Sequence, residues 1–281
     1  MKKYLELIRA KHWIKNILIF IPLLCSNEIN RNNIIKIILA FFAFSFATSF
    51  VYILNDIKDI EKDKLHPRKC KRPLPSGKIK KSIAIYIAII MITLSIIINC
   101  FINKNILNIS LYLLLSYIII NVFYSLGLKN IAIIDVILLA SGFVIRVYYG
   151  AAINDIEVSN WLFLTILNAS LFLGLGKRKK ELVKNKESRK VLEEYNKDFL
   201  DKFQYIELAL TLVFYSLWTM EQNTKFLVFT IPIVIIIFMR YCLIIEKSDE
   251  GDPTTILYQD KMLILLSLIY IIIMFVLLII I

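Results

Sequence analysis

The chain has 281 residues, 34 Lys and Arg against 22 Asp and Glu, a formal charge of +12, and 58% hydrophobic residues with a mean hydropathy of +0.70. Soluble globular chains are about 45–50% apolar, and the excess here falls in blocks of about 20 residues, the length that crosses a bilayer core. This excludes a soluble domain around one large core, and it excludes a soluble domain on a single anchor, because no stretch between the blocks is long enough to fold alone. One domain over residues 1–281 is expected.

The basic residues sit in short segments between apolar blocks. They point to membrane topology, with anionic lipid or phosphate ligands, and not to nucleic acid. Cys25, Cys70, Cys100 and Cys242 are far apart and form no CxxC, so neither a disulfide framework nor a metal–thiolate site is expected.

At the N-terminus, Lys2 and Lys3 followed by an apolar run to Cys25 resemble a secretory leader. Arg9, Lys11 and Lys15 interrupt that run and Leu24 is not a small residue, so an uncleaved first span is expected. Further along, the apolar blocks predict spans at 13–27, 34–56, 82–103, 106–126, 131–153, 158–176, 204–222, 225–246 and 262–281. All should be helical, since isolated strands leave backbone groups unsatisfied in lipid. With the N-terminus inside, ten basic residues from Lys58 to Lys81 and ten from Lys177 to Lys202 face the cytoplasm. The outside segments hold only Arg31, Lys104 and Lys225, with Lys36 at a span edge. The expected fold is an all-α integral membrane protein of nine helices around a central cavity open to the cytoplasm.

The sharpest chemical signal follows the second span: Asn55, Asp56, Asp59 and Asp63. At about 100° per residue the three carboxylates fall on one helical face with the amide beside them. Like charges packed so closely call for a cation, and an oxygen-only donor set favours Mg²⁺ over zinc. A solvated helix end balanced by Lys58 and Lys62 is the alternative.

A Pro- and Gly-containing basic loop follows, with His66, Pro67, Arg68, Lys69, Arg72 and Gly77. Metal and basic residues together would clamp a diphosphate, although inside-positive topology accounts for the loop equally well. Next come Tyr124, Lys129 and Asp135 around a short inside loop. Arg146 lies about three turns into the fifth span, where a charge is a functional hypothesis by default; a structural pairing with a buried acid such as Asp135 is its alternative. Lys177, Arg178, Lys179, Lys180 and Glu181 open the second large loop, and Asp198 with Asp201 forms a weak DxxD. The only histidines are His12 and His66, so no histidine base is expected.

Asn55, Asp56, Asp59 and Asp63 match the NDxxDxxxD signature, and the chain resembles the UbiA superfamily of intramembrane prenyltransferases. It resembles most the branch of decaprenyl-phosphate phosphoribosyltransferases. That resemblance rests on His12-Trp13-Ile14-Lys15-Asn16, the stretch from His66 to Gly77, Tyr124 with Lys129 and Asp135, Gly142 to Arg146, Lys177-Arg178 with Glu181, and Gly251-Asp252-Pro253 with Asp260. It runs along nearly the whole chain.

The resemblance implies a Mg²⁺-dependent transfer from 5-phosphoribosyl diphosphate (PRPP) to a polyprenyl phosphate in the bilayer of the cell membrane. Asn55, Asp56, Asp59 and Asp63 would hold the metal. Lys15, Asn55, Lys69, Arg72, Tyr124, Lys129, Asp135, Arg146, Lys177 and Arg178 would bind substrate. The chain is compatible with a homo-oligomer. An ionised lipid phosphate needs no general base, which suits the scarcity of histidine. Transfer of a prenyl group to an aromatic acceptor is the rival; it calls for a second carboxylate cluster, for which only Asp198 and Asp201 are available. A non-catalytic transporter would place charges near the membrane midplane, whereas here they gather at one face.

Overall fold

The computed structural model describes residues 2–26, 28–65, 69–103, 108–184, 190–222, 224–247 and 253–280, and every regular element among them is helical. Among the described residues six helices are long and apolar enough to cross a membrane: Arg31–Lys58, Lys81–Ile102, Ile109–Leu126, Ile134–Ile153, Lys225–Glu246 and Lys261–Leu278. The chain is a multi-pass membrane protein. Nine spans were expected, and the other three also coil but differ in character. Residues 13–27 are not an α-helical span: Ala10–Phe20 is a 3₁₀ helix, followed by the one-turn α2 (Ile21–Leu24). The helices Asn160–Lys184 (α8) and Lys197–Glu221 (α9) are long enough, but charges at their ends and polar groups such as Asn168 and Glu207 lower their apolar character.

The backbone divides into two compact units. The first comprises residues 1–23, 28–126 and 145–156, with α1 (Lys2–Leu7), the 3₁₀ segment, α3 (Arg31–Lys58), α4 (Ile60–Lys64), α5 (Lys81–Ile102), α6 (Ile109–Leu126) and the second half of α7 (Ile134–Ile153). Its hub is α3, which buries residues from Asn33 to Asp56 on one side and leaves Ile34, Ile35, Ile38, Phe42 and Leu54 exposed. Ala40, Ala43 and Ala47 are fully buried; small side chains let neighbouring backbones approach where lipid supplies no hydrophobic drive between helices. The α5 side chain Ser95 donates to the Ala43 carbonyl at 2.7 Å.

A 3₁₀ helix repeats every three residues, which puts Trp13, Asn16 and Ile19 on one face. That face is turned to α3. Trp13 Nε1 donates to Ser49 Oγ at 3.0 Å, Asn16 Nδ2 to Ser45 Oγ at 2.9 Å, and Ile19 is fully buried. The segment lies so close to α7 that a Cβ on Gly150 would stand 2.0 Å from the Ile19 carbonyl oxygen. Phe44, Leu114, Tyr117 and Tyr149 complete this core.

The second unit comprises residues 24–27, 127–144 and 157–281. Here α8 lies along α9, and α10 (Ile231–Lys247) packs on α12 (Lys261–Phe275). One apolar cluster gathers Phe172, Tyr241, Ile245, Ile256 and Leu263; another gathers Val136, Leu175, Val191, Leu192 and Leu200. Asp260 starts α12 as its N-cap, accepting from the Leu263 N–H at 2.6 Å.

Candidate active site

The acidic signature is built on the cytoplasm-predicted end of α3. The helical path continues past that end, because the Asp59 N–H donates to Asn55 O at 3.0 Å and the Asp63 N–H to Asp59 O at 2.8 Å. The angular phase therefore carries across Asp59 into α4. Asp56 and Asp63 turn inward and are each 3% exposed, Asn55 and Asp59 are half-buried, and Lys58, Glu61 and Lys62 face out. This is the sidedness that the spacing predicts.

Carboxylates this buried are costly unless paired, and the chain pairs them itself. Arg9 Nη2 contacts Asp56 Oδ1. Arg72 Nη1 sits between the two acids, 3.3 Å from Asp56 Oδ1 and 2.6 Å from Asp63 Oδ2, and Lys69 Nζ lies 3.8 Å from Asp63 Oδ1. The sequence called for a cation to join these acids, and guanidinium groups fill that role here.

Local structure fixes both arginines. Arg9 adopts a left-handed backbone (φ 50°, ψ 46°) at the junction of α1 and the 3₁₀ segment, and its guanidinium carbon lies 4.7 Å from the Tyr52 ring centroid. Arg72 rides on a loop pinned by Leu74 and Ile79, which bury with Leu7 and Ile53. The loop turns at Gly77, whose φ of +73° suits glycine, with its N–H on Leu74 O at 3.0 Å. Among the described residues no three His, Cys, Asp or Glu side chains converge as a ready-made metal centre. By donor chemistry Asn55, Asp56, Asp59 and Asp63 nevertheless suit a hard oxygen-seeking cation such as Mg²⁺.

In the same unit, Arg146 is 5% exposed. Its Nε donates to Asn16 Oδ1 at 2.8 Å and its Nη2 to the Tyr117 hydroxyl at 3.1 Å, and its guanidinium lies over the Phe44 and Tyr117 rings at 5.3 and 5.0 Å. The Asp135 pairing considered for it is not the one formed. Asp135 instead pairs with Arg178, and both side chains are 0% exposed. Tyr195 donates to Asp135 Oδ1 at 2.7 Å and accepts from the Ile133 N–H at 2.6 Å, while Arg178 Nη1 also reaches Glu181 at 2.7 Å. Burial, and then the hydrogen bond to Asp135, push the Tyr195 phenol well above its ordinary value.

At the next residue after Arg178, Lys179 lies 2.5 Å from both Asp201 and Glu246. Burial pulls its ammonium down, and the two carboxylates more than reverse this, so the net shift is upward. Asp201 is thus engaged by a lysine within its own unit. Lys15 and Tyr124 in the first unit, and Lys129 and Lys177 in the second, are half-buried and engaged. His66, Pro67, Arg68, Gly251 and Asp252 lie outside the described residues. A cavity of about 340 Å³ in the second unit is lined by Thr165, Thr211, Tyr215, Phe238 and Tyr270 among others, and by none of the expected site residues. Sequence reasoning missed Arg9 and Tyr195: Arg9 had counted only toward topology, and no spacing tied Tyr195 to Asp135.

Comparison with known proteins fits this arrangement. The chain is 29% identical to the decaprenyl-phosphate phosphoribosyltransferase of Mycobacterium tuberculosis, over 94% of its own length and 90% of the relative's. It is also 29% identical to the enzyme of the same name from Corynebacterium glutamicum, over 94% and 83%. Its fold matches a UbiA homolog from Archaeoglobus fulgidus, solved bound to GPP and Mg²⁺, with a TM-score of 0.75 and 21% identity over 98% of this chain and 99% of that one. The family model described as the UbiA prenyltransferase family matches residues 18–267, and the chain belongs to that family.

Proposed function

We propose that this protein transfers 5-phosphoribose from PRPP to a polyprenyl phosphate of decaprenyl type, releasing diphosphate, and so supplies a lipid-linked sugar phosphate for cell-envelope glycan synthesis. The observation that carries the reading is the convergence of Asp56 and Asp63 with Arg9, Lys69 and Arg72 at one helix end, in a chain similar over nearly its whole length to enzymes of that name. It acts as one domain in a cell membrane, with this helix end toward the cytoplasm, where PRPP is found.

In this reading a phosphate oxygen of the lipid attacks the anomeric carbon of the ribose. The bond from that carbon to the diphosphate breaks, and the electron pair leaves with the diphosphate. The ionised acceptor is already a nucleophile, so no side chain has to remove a proton. The protein's task is to orient the two substrates and to neutralise the leaving group as its charge grows. Asn55, Asp56, Asp59 and Asp63 would hold Mg²⁺, which supplies neutralising charge at the diphosphate when bound. Lys69 and Arg72 would face phosphate oxygens, with Lys15, Tyr124, Lys129, Arg146 and Lys177 as further substrate contacts. Asp135 and Arg178 are assigned here to positioning, since each is closed off by the other.

Prenyl transfer to an aromatic acceptor is less well supported, since Asp201 of the only second acidic pair is engaged by Lys179. The test is to incubate the purified protein in detergent with radiolabelled PRPP, Mg²⁺ and a polyprenyl phosphate, and to count label in the organic phase. Label that disappears with EDTA and in the Asp56→Ala/Asp59→Ala double variant is expected. No lipid label across several acceptor lengths would refute the proposal.

A further inference from the structure

We propose that Arg9 and Arg72 act as internal stand-ins for the metal, so that the carboxylate face takes up a divalent ion tightly only together with a phosphate-rich ligand. The proposal rests on the metal role assigned above to Asp56 and Asp63, and it adds Arg9 to the site as a positioning residue.

Asp56 Oδ1 receives both Arg9 Nη2 and Arg72 Nη1. A carboxylate oxygen offers two lone pairs, so this oxygen is fully used. Arg72 Nη1 also contacts Asp63 Oδ2 and therefore stands where an ion bridging the two acids would have to stand. Coordination at Asp56 must displace at least one guanidinium.

Arg9 is the more confined of the two; Arg72, with 32% of its side chain exposed, is tethered by its loop. Arg9 is 17% exposed and lies over Tyr52, and Arg72 is held on a loop whose Leu74 and Ile79 are buried. Asp56, Asp59 and Asp63 carry three formal charges, matched by Arg9, Lys69 and Arg72. A divalent ion added to that balanced set leaves displaced guanidinium groups beside a second cation. An anion has to arrive with it, and diphosphate suits because guanidinium forks bind phosphate oxygens two at a time. The two ligands then bind with positive coupling, which is reciprocal by linkage.

The experiment is equilibrium dialysis of the full-length protein in detergent against Mn²⁺, with and without inorganic diphosphate. Mn²⁺ complexed by diphosphate equalises across the membrane, so the excess on the protein side is protein-bound. The wild type should bind Mn²⁺ weakly alone and at least about tenfold more tightly with diphosphate, within the usual range of such couplings. Arg72→Gln should bind Mn²⁺ alone about tenfold more tightly than wild type and lose most of the diphosphate effect. Arg9→Gln should move the same way, and it keeps the test open should Arg72→Gln fold poorly by its melting curve. Asp56→Asn and Asp63→Asn should lose Mn²⁺ uptake. If those two lose uptake while both arginine variants match wild type, the stand-in role is refuted and the metal role survives. If wild type takes up no Mn²⁺ with or without diphosphate, both fall together.

Discussion

Replacing Arg178 with Met tests whether the Asp135–Arg178 pair is structural. The methylene stem is preserved and the charge removed, which leaves Asp135 with the Tyr195 hydroxyl at 2.7 Å and no cation in a site where it is 0% exposed. Losing one partner of such a pair costs about 3–5 kcal/mol. For a chain of this size each kcal/mol moves the melting temperature by about 2–4 °C, so a fall of about 6–20 °C is expected. Adding Asp135→Asn removes the stranded charge, and the double variant should melt above Arg178→Met alone, the non-additivity expected of contacting groups. The assay is a melting series in detergent beside the KM for PRPP. A melting temperature within about 2 °C of wild type together with a raised KM would refute the positioning assignment and return Arg178 to direct substrate contact.

Asp260 titrates with a sign fixed by its partners. The Arg240 hydrogen bond holds its carboxyl below the usual value, burial partly opposes this, and the Leu263 N–H assists. Its stabilising effect is therefore present above the unfolded value near 3.9 and is lost as pH falls through the lower folded value. The melting advantage of wild type over Asp260→Asn should be constant above about pH 5 and shrink steadily as pH falls below the unfolded value of about 3.9. Gly150→Ala would gain about 1 kcal/mol in helix propensity, but its Cβ meets the Ile19 carbonyl oxygen at 2.0 Å. Backbone cannot yield as a side-chain tip can, so an overpacking cost at the upper end, about 3 kcal/mol, leaves a net loss of about 2 kcal/mol by thermal melting; an unchanged melting point would contradict the close approach. Arg146→Lys keeps the charge but cannot donate to Asn16 and Tyr117 while lying flat on Phe44. It should cost about 1–3 kcal/mol, measured in the same way, by leaving the buried Asn16 carbonyl short of a donor.

How much of this was readable in the chain depended on the distance over which each feature is set. The inward phase of Asp56 and Asp63 was legible because it is local: i→i−4 bonds from Asp59 to Asn55 and from Asp63 to Asp59 bridge the junction of α3 and α4. The six apolar helices were legible from composition for the same reason. The partners of the acids were not. Arg9 reaches Asp56 from 47 residues away, through a left-handed residue that no periodicity announces. Arg72 arrives by a loop folding back on Leu74 and Ile79. Arg146 and Arg178 were both visible as charges, and Asp135 as an acid near them, but the choice of Arg178 lies in the tertiary contact that Asp135 and Val136, at the start of α7, make with α8 in the second unit. The 3₁₀ winding of residues 10–20 was missed because hydropathy is blind to pitch.

That winding affects how far the N-terminal segment reaches. A 3₁₀ helix rises about 2.0 Å per residue against about 1.5 Å for an α-helix. The 11 residues from Ala10 to Phe20 and the four of α2 therefore extend roughly 28 Å, against a hydrocarbon core of about 30 Å, where an α-helix of equal length would stop near 22 Å. Overstretching brings a segment that is short by the usual ruler close to the thickness of that core. Its period of three also decides which side chains meet Ser45 and Ser49. Relaxing it to α pitch would shorten the thread and rotate Trp13 and Asn16 off their partners, and it would draw Arg9 away from Asp56 with them.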